Sequence, residues 1–168
     1  MRASPFVVGI GALRKAPGTR RAERREGVIP GLRVSGSEVP EGGEVVVDVV
    51  LELVPAGAIV RGTVEAPWAG ECRRCLGEAR GRARTEVWEV FEEQHDPEQT
   101  YPLHGDQLDL EPMARDAVLL ELPLAPLCKV GCRGLCPTCG ADRNVGDCDC
   151  EQSVGDPRWA ALDALREN

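Results

Sequence analysis

Eight cysteines are the residues of this 168-residue chain whose type and spacing indicate chemistry. In chain order, the first to fourth pairs are Cys72/Cys75, Cys128/Cys132, Cys136/Cys139 and Cys148/Cys150. A turn with two intervening residues directs both thiolates at one point, while backbone N–H groups face the sulfurs. The first pair, followed by Leu76-Gly77, has the design of the third pair, followed by Gly140, displaced by one residue. Four such pairs match two tetrahedral sites of four thiolates each, so the sequence predicts two bound zinc ions.

The spacing alone leaves open which pairs share a metal, because four pairs can be joined in three ways. The nearest-neighbour arrangement joins the third pair with the fourth and the first with the second; a zinc-ribbon arrangement joins the first with the third. Closing the long loop between the first and second pairs costs about 3.5 kcal/mol, against about 1.8 kcal/mol for the short loop. A structural zinc supplies on the order of 10 kcal/mol. We therefore expect the nearest-neighbour arrangement.

Other uses of the thiols fit the sequence less well. Neither ferredoxin spacing of an iron–sulfur cluster is present, and no thioredoxin-like strand-to-helix turn follows Cys75. The apolar stretch Phe6–Leu13 is interrupted by glycines and lacks a small-residue cleavage site, so we expect no signal peptide and a reducing cytoplasm. No run of 18 apolar residues is present, which argues against a membrane protein, and 42% hydrophobic residues argue against a disordered chain.

The net charge of −8 is unevenly distributed along the chain. Residues 1–35 carry eight basic and two acidic residues, whereas residues 85–111 carry nine acidic residues and no Lys or Arg. We call the basic part of residues 1–35 the N-terminal arm. This arm and the basic turn between Cys72 and Cys75 predict contacts with RNA phosphates; the alternative interpretation of the arm is a solvated loop. The candidate RNA-binding residues are Arg14, Lys15, Arg20, Arg21, Arg24, Arg25, Arg73 and Arg74.

The elements that must position the cysteines are mainly strands. Alternating valines and leucines predict a strand over Glu44–Val54, Ile59–Ala66 returns antiparallel to it, and residues 82–91 predict a third strand. The apolar positions of the third strand do not keep one parity, so we expect a bulge. Residues 5–13 predict a short strand or extended segment, residues 14–43 a long loop, and residues 92–105 an acidic loop.

Two short helices are expected. The first has Asp109 as N-cap and Pro112 in its first turn, and it stops at Pro123. Its predicted apolar face is Leu110, Met113, Ala114, Ala117, Val118 and Leu120. The second begins at Asp156 and docks Trp159 on the body. The predicted class is therefore α+β: an antiparallel sheet with one or two short helices and a cysteine-rich zinc-knuckle C-terminal segment. We divide the chain into an α+β body, 1–127, and a zinc-binding segment with the C-terminal helix, 128–168.

Catalytic motifs are missing from the sequence. It contains no phosphate-binding glycine loop, no H-E-x-x-H and no G-x-S-x-G. His95 and His104 lie in the acidic loop and are interpreted as solvated residues. Four thiolates per zinc leave no open coordination position for a catalytic water. We expect no enzymatic activity and no small-molecule substrate.

One further pattern combines the pairs with their surroundings: Cys72-Arg-Arg-Cys75-Leu76, Leu119–Pro126, Cys132-Arg-Gly-Leu-Cys136-Pro-Thr-Cys139-Gly140, Asn144, Cys148-Asp-Cys150 and Asp156-Pro-Arg158. It resembles the YceD family of bacterial and plastid proteins, in the longer form with a C-terminal cysteine knuckle. The resemblance runs from about Phe6 to Leu165, with Gly18-Thr19-Arg20 in the place of the family's basic segment.

The resemblance implies a role in the accumulation or processing of large-subunit ribosomal RNA, with no known enzymatic activity. Family members that lack the knuckle keep the first pair and a cysteine near position 132, which favours the first and second pairs as one unit. The expected partners are a large-subunit rRNA precursor, a ribosomal protein or a processing enzyme. The alternatives are a zinc-dependent protein-interaction adaptor and a thiol redox sensor, both without direct RNA contact.

Overall fold

Eight strands and two helices form the described part of the chain, residues 4–15 and 18–150, in a computed structural model. The strands are β1 (Val7–Gly9), β2 (Arg20–Gly27), β3 (Ser37–Glu38), β4 (Val45–Val54), β5 (Gly57–Glu71), β6 (Glu78–Glu92), β7 (Tyr101–His104) and β8 (Gln107–Asp109). The helices are α1 (Gly11–Arg14) and α2 (Glu111–Glu121). The protein is thus mostly sheet with little helix, as the sequence predicts.

The central strands follow the alternation of the sequence. Val45, Val47, Val49 and Leu51 of β4 are buried on the inner face, and Asp48 is exposed on the outer face. The sheet curls into a half-barrel around these side chains, together with α2 and the fully buried Phe6 of the N-terminal segment. Burial of this apolar face is the main stabilising contribution, because each large aliphatic side chain removed from water contributes about 1.5–3 kcal/mol.

The strand order is β1-β8-β7-β6-β5-β4-β2, with β3 paired to β5. Every pairing is antiparallel except that of β6 with β7, which is parallel over Phe91–Tyr101 and Glu92–Pro102. The predicted purely antiparallel sheet is therefore wrong at this point. The acidic segment after β6 loops back so that β7 runs in the direction of β6, and the rings of Phe91 and Tyr101 stack with centroids 5.2 Å apart.

The predicted long loop over residues 14–43 is also wrong. It contains β2, which pairs with β4 over eight residues, and the short β3. Six of the eight residues of β2 are charged and the strand shows no apolar period, so its pattern does not indicate a strand. Backbone pairing with β4 places opposite charges across from each other: Arg20 lies opposite Glu52 and Arg24 opposite Asp48, with surface ion pairs of 2.8 Å and 3.4 Å.

The hairpin of β5 and β6 carries the first cysteine pair at its tip. The two strands are in unbroken register from Gly57 opposite Glu92 to Glu71 opposite Glu78, so the predicted bulge is absent from this pairing. The apolar residues of β6 fall on both faces because one of them, Trp88, lies on the solvent side. Val87 and Phe91 face the core, whereas Trp88 lies on the outer face with 75% of its surface exposed.

Helix α2 covers the inner face of the sheet and ends shortly before Pro123, as predicted. The N-cap is Leu110 and not the predicted Asp109, which lies one residue earlier and whose carboxylate accepts a hydrogen bond of 3.0 Å from the Glu111 N–H. Met113, Ala114 and Val118 are buried, as expected, but Leu120 is 88% exposed and does not belong to the apolar face. The helix predicted from Asp156 lies outside the described residues. Neither α1 nor α2 is long and apolar enough to cross a bilayer.

Candidate metal centres

Two groups of four cysteine sulfurs form in the C-terminal half of the described chain. Cluster 1 consists of Cys72, Cys75, Cys128 and Cys132, and cluster 2 consists of Cys136, Cys139, Cys148 and Cys150. Within each cluster all four sulfurs lie within 4.8 Å of one another. These are the two sets that the nearest-neighbour arrangement predicts, and the zinc-ribbon arrangement is excluded.

The sulfur separations in cluster 1 fit tetrahedral coordination. The Sγ atoms of Cys72 and Cys132 are 3.8 Å apart, and those of Cys75 and Cys128 are 3.6 Å apart. A tetrahedral zinc with Zn–S distances of about 2.3 Å separates its sulfurs by about 3.8 Å. A disulfide would require about 2.05 Å, and all eight cysteines are free. The residues therefore fit a zinc ion.

The turns that hold the sulfurs have the same geometry in both clusters. The Leu76 N–H donates to the Cys72 carbonyl at 2.9 Å, and the Gly140 N–H donates to the Cys136 carbonyl at the same distance. Both residues lie in the left-handed region, Leu76 at φ 60° and Gly140 at φ 74°. Leu76 thus takes the place of the glycine in the same turn, and the predicted displacement by one residue is wrong.

Backbone contacts attach the C-terminal segment to the hairpin tip. The Arg73 N–H donates to the Pro126 carbonyl and the Leu135 N–H to the Arg74 carbonyl, both at 3.0 Å. The Arg74 guanidinium donates to the Cys132 carbonyl at 2.9 Å. Arg74, which the sequence suggests as an RNA contact, therefore also positions a segment that carries a cysteine of cluster 1.

In each cluster, backbone N–H groups lower the pKa of one cysteine to about 6. The N–H of Cys128, with those of Cys75 and Arg74, lowers the pKa of Cys72 to about 6 against the opposing effect of burial. The N–H groups of Cys139 and Thr138, with the Cys148 thiol, lower the pKa of Cys136 to about 6. Such N–H···S contacts are typical of zinc knuckles.

Other sulfurs hold their protons because the thiols crowd together. The Cys75 thiol and burial raise the pKa of Cys128 to about 12, and the Cys139 thiol and burial raise the pKa of Cys150 to about 12. Four thiolates this close repel one another strongly unless a cation lies between them. A divalent soft metal supplies that charge, and it replaces the protons that otherwise separate the sulfurs.

Asn144 connects the two clusters, a role that the cysteine spacing does not reveal. It lies in the loop of cluster 2, and its amide Nδ2 donates to Sγ of Cys132 in cluster 1 at 3.4 Å. The Arg133 N–H donates to its Oδ1 at 2.9 Å, and Asp142 accepts from the Asn144 backbone N–H and from Nδ2. Burial raises the pKa of Cys132, but the Asn144 hydrogen bond helps to bring it below its ordinary value.

The arginines predicted to bind RNA do not form one continuous surface. Arg14 forms ion pairs with Glu93 and Asp106 at 2.7 Å and 3.1 Å. Strand alternation in β2 puts Arg20 and Arg24 on the outer face. Arg21 and Arg25 lie on the opposite side, and both bind the Glu23 carboxylate, at 2.6 Å and 2.9 Å. Lys15 is exposed, and Arg73 and Arg74 lie at cluster 1. The predicted arm is a strand whose two faces differ.

The histidines and the acidic residues stay apart from the clusters. His95 and His104 are both exposed, in the segment after β6 and at the end of β7. Among the described residues, the two cysteine clusters are the groups of His, Cys, Asp and Glu whose ligand atoms converge closely enough to hold a metal ion. The architecture thus defines a class of protein: a curled sheet whose longest hairpin is joined at its tip to a C-terminal segment with two four-cysteine centres.

Comparison with known proteins specifies the family. The model of the family "Large ribosomal RNA subunit accumulation protein YceD" matches residues 60–166, a range that includes all eight cysteines. An uncharacterized protein of Mycobacterium tuberculosis is 36% identical over 170 residues, which cover 95% of this chain and 81% of that protein. A relative in Mycobacterium leprae is 31% identical, over 95% of this chain and 76% of that protein. The chain belongs to the YceD family.

A plant relative carries the family description in its own name. The chloroplastic YCED homolog 1 of Arabidopsis thaliana, a large ribosomal RNA subunit accumulation protein, is 34% identical over 67 residues. This match covers 40% of the present chain and 21% of the plant protein. No solved structure matches the chain.

Proposed function

We propose that the protein is a non-enzymatic, zinc-stabilised factor for the accumulation of large-subunit ribosomal RNA, acting in the cytoplasm. The observation that carries the proposal is its membership of the YceD family, whose description names this role. The cysteine geometry supports the structural part, because four thiolates saturate a tetrahedral zinc and leave no position for a catalytic water. Depletion of the protein is expected to lower large-subunit rRNA relative to small-subunit rRNA; an unchanged ratio would contradict the proposal.

Zinc in both clusters is supported by the sulfur distances and by the N–H groups that face the sulfurs. Native mass spectrometry of the reduced, full-length protein is expected to show two zinc ions per chain. Cys72→Ser and Cys150→Ser are each expected to remove one. A reduced protein that folds and carries no metal would refute this part.

Direct contact with rRNA precursors is supported by the exposed arginines of the outer face and the hairpin tip. Arg20 and Arg24 have side chains that are 58% and 59% exposed. Their ion pairs with Glu52 and Asp48 lie at the surface and contribute little stability, so an RNA phosphate can compete for the two guanidinium groups. A salt titration tests the contact, because log K falls with log[salt] in proportion to the number of phosphates that are bound. The charge reversals Arg20→Glu and Arg24→Glu are expected to flatten this slope.

The control reversal is Arg33→Glu, at an arginine that is 75% exposed and paired with Glu38. A slope that changes equally in the control would show a general charge effect instead of a contact at β2.

A protein-docking role is the second candidate, and the exposed carboxylates after β6 favour it. Glu93, Asp96 and Glu98 all lie at the surface, and a basic ribosomal protein would complement them. This candidate predicts that the protein binds no rRNA fragment at low salt but binds a purified basic large-subunit protein. The charge-neutral variant of all three carboxylates would lose that binding.

A further inference from the structure

The outer face of β6 combines an exposed tryptophan with a row of arginines. The even-numbered residues of β6 from Glu78 to Trp88 are exposed, and Ala79, Ala83, Val87 and Phe91 are buried beneath them. Arg80, Arg82 and Arg84 follow one another on this face with side chains 70%, 62% and 65% exposed. We call these three residues the arginine row. Trp88 continues the same face at 75% exposure.

Trp88 is exposed to an unusual degree for its size. A large aromatic side chain is normally buried at least in part, and this chain has only three tryptophans. Its cross-strand neighbour on β5 is Arg61, which is exposed and forms no ion pair with any described carboxylate. Val90 and Ile59, next to it on the same face, are half-buried. The indole is therefore an open aromatic surface beside a positive charge.

The arginine row has more positive than negative charge. Arg82 and Arg84 share the single carboxylate of Glu65, and Arg80 pairs with Glu78. Glu86 on the same face offsets the one charge left over on the row, so the positive excess of the face comes from Arg61, Arg73 and Arg74 against Glu71. Alternate residues of a strand repeat about every 6.8 Å, so the row presents three regularly spaced guanidinium groups over about 14 Å, and Trp88 lies about 14 Å beyond Arg84. An extended polyanion is complementary to such a row.

We propose that this face binds single-stranded RNA, with one base stacked on Trp88 and the backbone following the arginine row toward cluster 1. The inference rests on the proposed function and specifies the form of RNA that is bound. Aromatic side chains combined with a basic track are the means by which proteins hold single strands without reading their sequence. A duplex keeps its bases stacked internally and offers none to the indole.

Glu86 lies between Trp88 and Arg84 on this face, and it is the group that opposes RNA most directly. Its carboxylate repels the backbone of a strand that runs from the indole to the row. Glu86→Gln is therefore expected to strengthen binding, whereas removal of a remote carboxylate would not. Glu121, at the end of α2, is exposed and serves as the matched control through Glu121→Gln.

The test measures binding of the full-length, metal-loaded protein to a single-stranded oligouridine of roughly 10 nucleotides, a length within the usual site size of such surfaces. Trp88→Ala is expected to weaken binding by roughly 5- to 150-fold with an unchanged salt slope, because stacking of one base is not ionic. Trp88→Tyr keeps an aromatic face and should restore most of the affinity. Leu120→Ala, at an apolar residue that is 88% exposed on α2, should leave binding unchanged.

Substitution of the arginine row by glutamine is expected to reduce the slope of log K against log[salt] by about 2, since each phosphate contact with a single strand contributes about 0.7. A fully paired adenine–uridine RNA duplex of the same length should bind more weakly than the oligouridine. Thermal unfolding and metal content of every variant show that the fold is intact. Because Trp88 and the row are exposed, these variants are expected to fold.

Two negative outcomes are distinguishable. Wild-type protein that binds no RNA at low salt would overturn direct RNA contact as a whole. If the wild type binds RNA and the variants at Trp88 and at the arginine row bind it equally well, this inference alone is overturned and the proposed function stays in place. If the Trp88 variants keep RNA binding but lose binding to a purified large-subunit protein, the face is a protein interface and the inference is wrong.

Discussion

Asn144 illustrates how a single side chain relates the two cysteine clusters. It belongs by sequence to the loop of cluster 2, yet its Nδ2 donates to Sγ of Cys132 in cluster 1. Its Oδ1 accepts a hydrogen bond from the Arg133 backbone N–H. A hydrogen bond to a metal-ligating sulfur orients the ligand and stabilises its thiolate form. Asn144 is therefore a positioning residue for cluster 1.

Asn144→Ala is expected to weaken metal binding at cluster 1 by about 10- to 100-fold and to leave cluster 2 occupied, as is typical when such a contact is lost. Competition with a chelating dye measures this as the early loss of one of two metal ions. Val145→Ala is the control, since the neighbouring valine is 89% exposed. Simultaneous loss of both ions in the Asn144 variant would show that the residue maintains the whole segment instead.

Leu76 and Gly140 make a matched pair for a second prediction. Both have left-handed backbone conformations, which cost a residue with a side chain about 1–2 kcal/mol. Leu76→Gly is expected to stabilise the folded protein by up to about 1 kcal/mol, because the strain removed exceeds the extra chain entropy of glycine. Gly140→Ala is expected to destabilise its turn by about 1 kcal/mol although no atom lies within 4 Å of the added Cβ. Urea denaturation of the metal-loaded protein gives the change in the free energy of unfolding for both variants. Changes of the same sign would contradict a left-handed backbone at both positions.

At this scale the sequence predicts the ligands but not their supports. The spacing of the cysteines is local information, and the loop-closure argument reaches the observed sets because the binding free energy of a structural zinc would outweigh the entropy of a long loop. Asn144 belongs to the pattern that carries the family resemblance, but that pattern gives it no structural role, and Trp88 belongs to no pattern. The role of the first depends on how the C-terminal segment packs against the hairpin, and the exposure of the second depends on the register of β5 with β6.

Among the elements, β2 shows how alternation divides a basic segment into two functions. Arg20 and Arg24 face outward, whereas Arg21 and Arg25 lie beside Glu23, whose side chain is only 13% exposed. The Nε atoms of Arg21 and Arg25 are buried and have no hydrogen-bond partner of good geometry, although Nε of Arg21 lies 2.6 Å from the Glu23 carboxylate. The charge of Glu23 thus compensates two guanidinium groups that are partly removed from water.

Glu23→Gln is expected to destabilise the protein by about 1–3 kcal/mol, because two partly buried cations lose their counter-charge. The matched control is Glu26→Gln on the outer face of the same strand, where the side chain is 60% exposed and lies 4.0 Å from Arg24; a change below about 0.5 kcal/mol is expected there. Chemical denaturation compares the two variants. Similar losses at both positions would mean that the inner side of β2 is as solvated as the outer side.

The strands that the sequence predicts are those with buried alternation. β4 is predicted within one residue, and β5 and β6 are recognised in part but are longer than their apolar patterns. β2, β3 and β7 are missed because they are charged or very short, and their pairing with existing strands stabilises them more than their own composition does. The parallel contact of β6 with β7 depends on the path of the acidic segment, which no local pattern encodes.

For the molecule as a whole, the two clusters differ in what they join. Cluster 1 connects residues 60 positions apart in sequence, Cys72 and Cys132, both buried in a small apolar group with Ala79 that Trp68 and Leu127 flank. Cluster 2 lies within residues 136–150; each cluster has one exposed cysteine, Cys128 and Cys139, but cluster 1 has two buried cysteines and cluster 2 only Cys136. Cluster 1 therefore belongs to the packing of the body, and cluster 2 organises a local loop.

Combined substitution of Cys72 and Cys75 by serine is expected to lower the free energy of unfolding of the body by several kcal/mol, since a metal that closes a long loop also stabilises the packing around it. The same change at Cys148 and Cys150 is expected to cost the body less than about 1 kcal/mol. Urea denaturation followed by far-UV circular dichroism measures both. Equal losses would show that cluster 2 supports the sheet through contacts with cluster 1, of which the Asn144 hydrogen bond is one.

The pairing of β1 with β8 has a consequence for synthesis of the chain. Val7 lies opposite Asp109, so β1 has no partner strand until about 100 residues more have been made. At about 5–20 residues per second this interval is about 5–20 s. During that time Phe6, Val8 and Ile10, all fully buried in the finished protein, stay exposed on a nascent chain while β2, β4, β5 and β6 pair in turn. β1 is thus placed in the sheet after β2, β4, β5 and β6, although it is made before them, and its apolar side chains are ones that a chaperone at the tunnel exit would encounter.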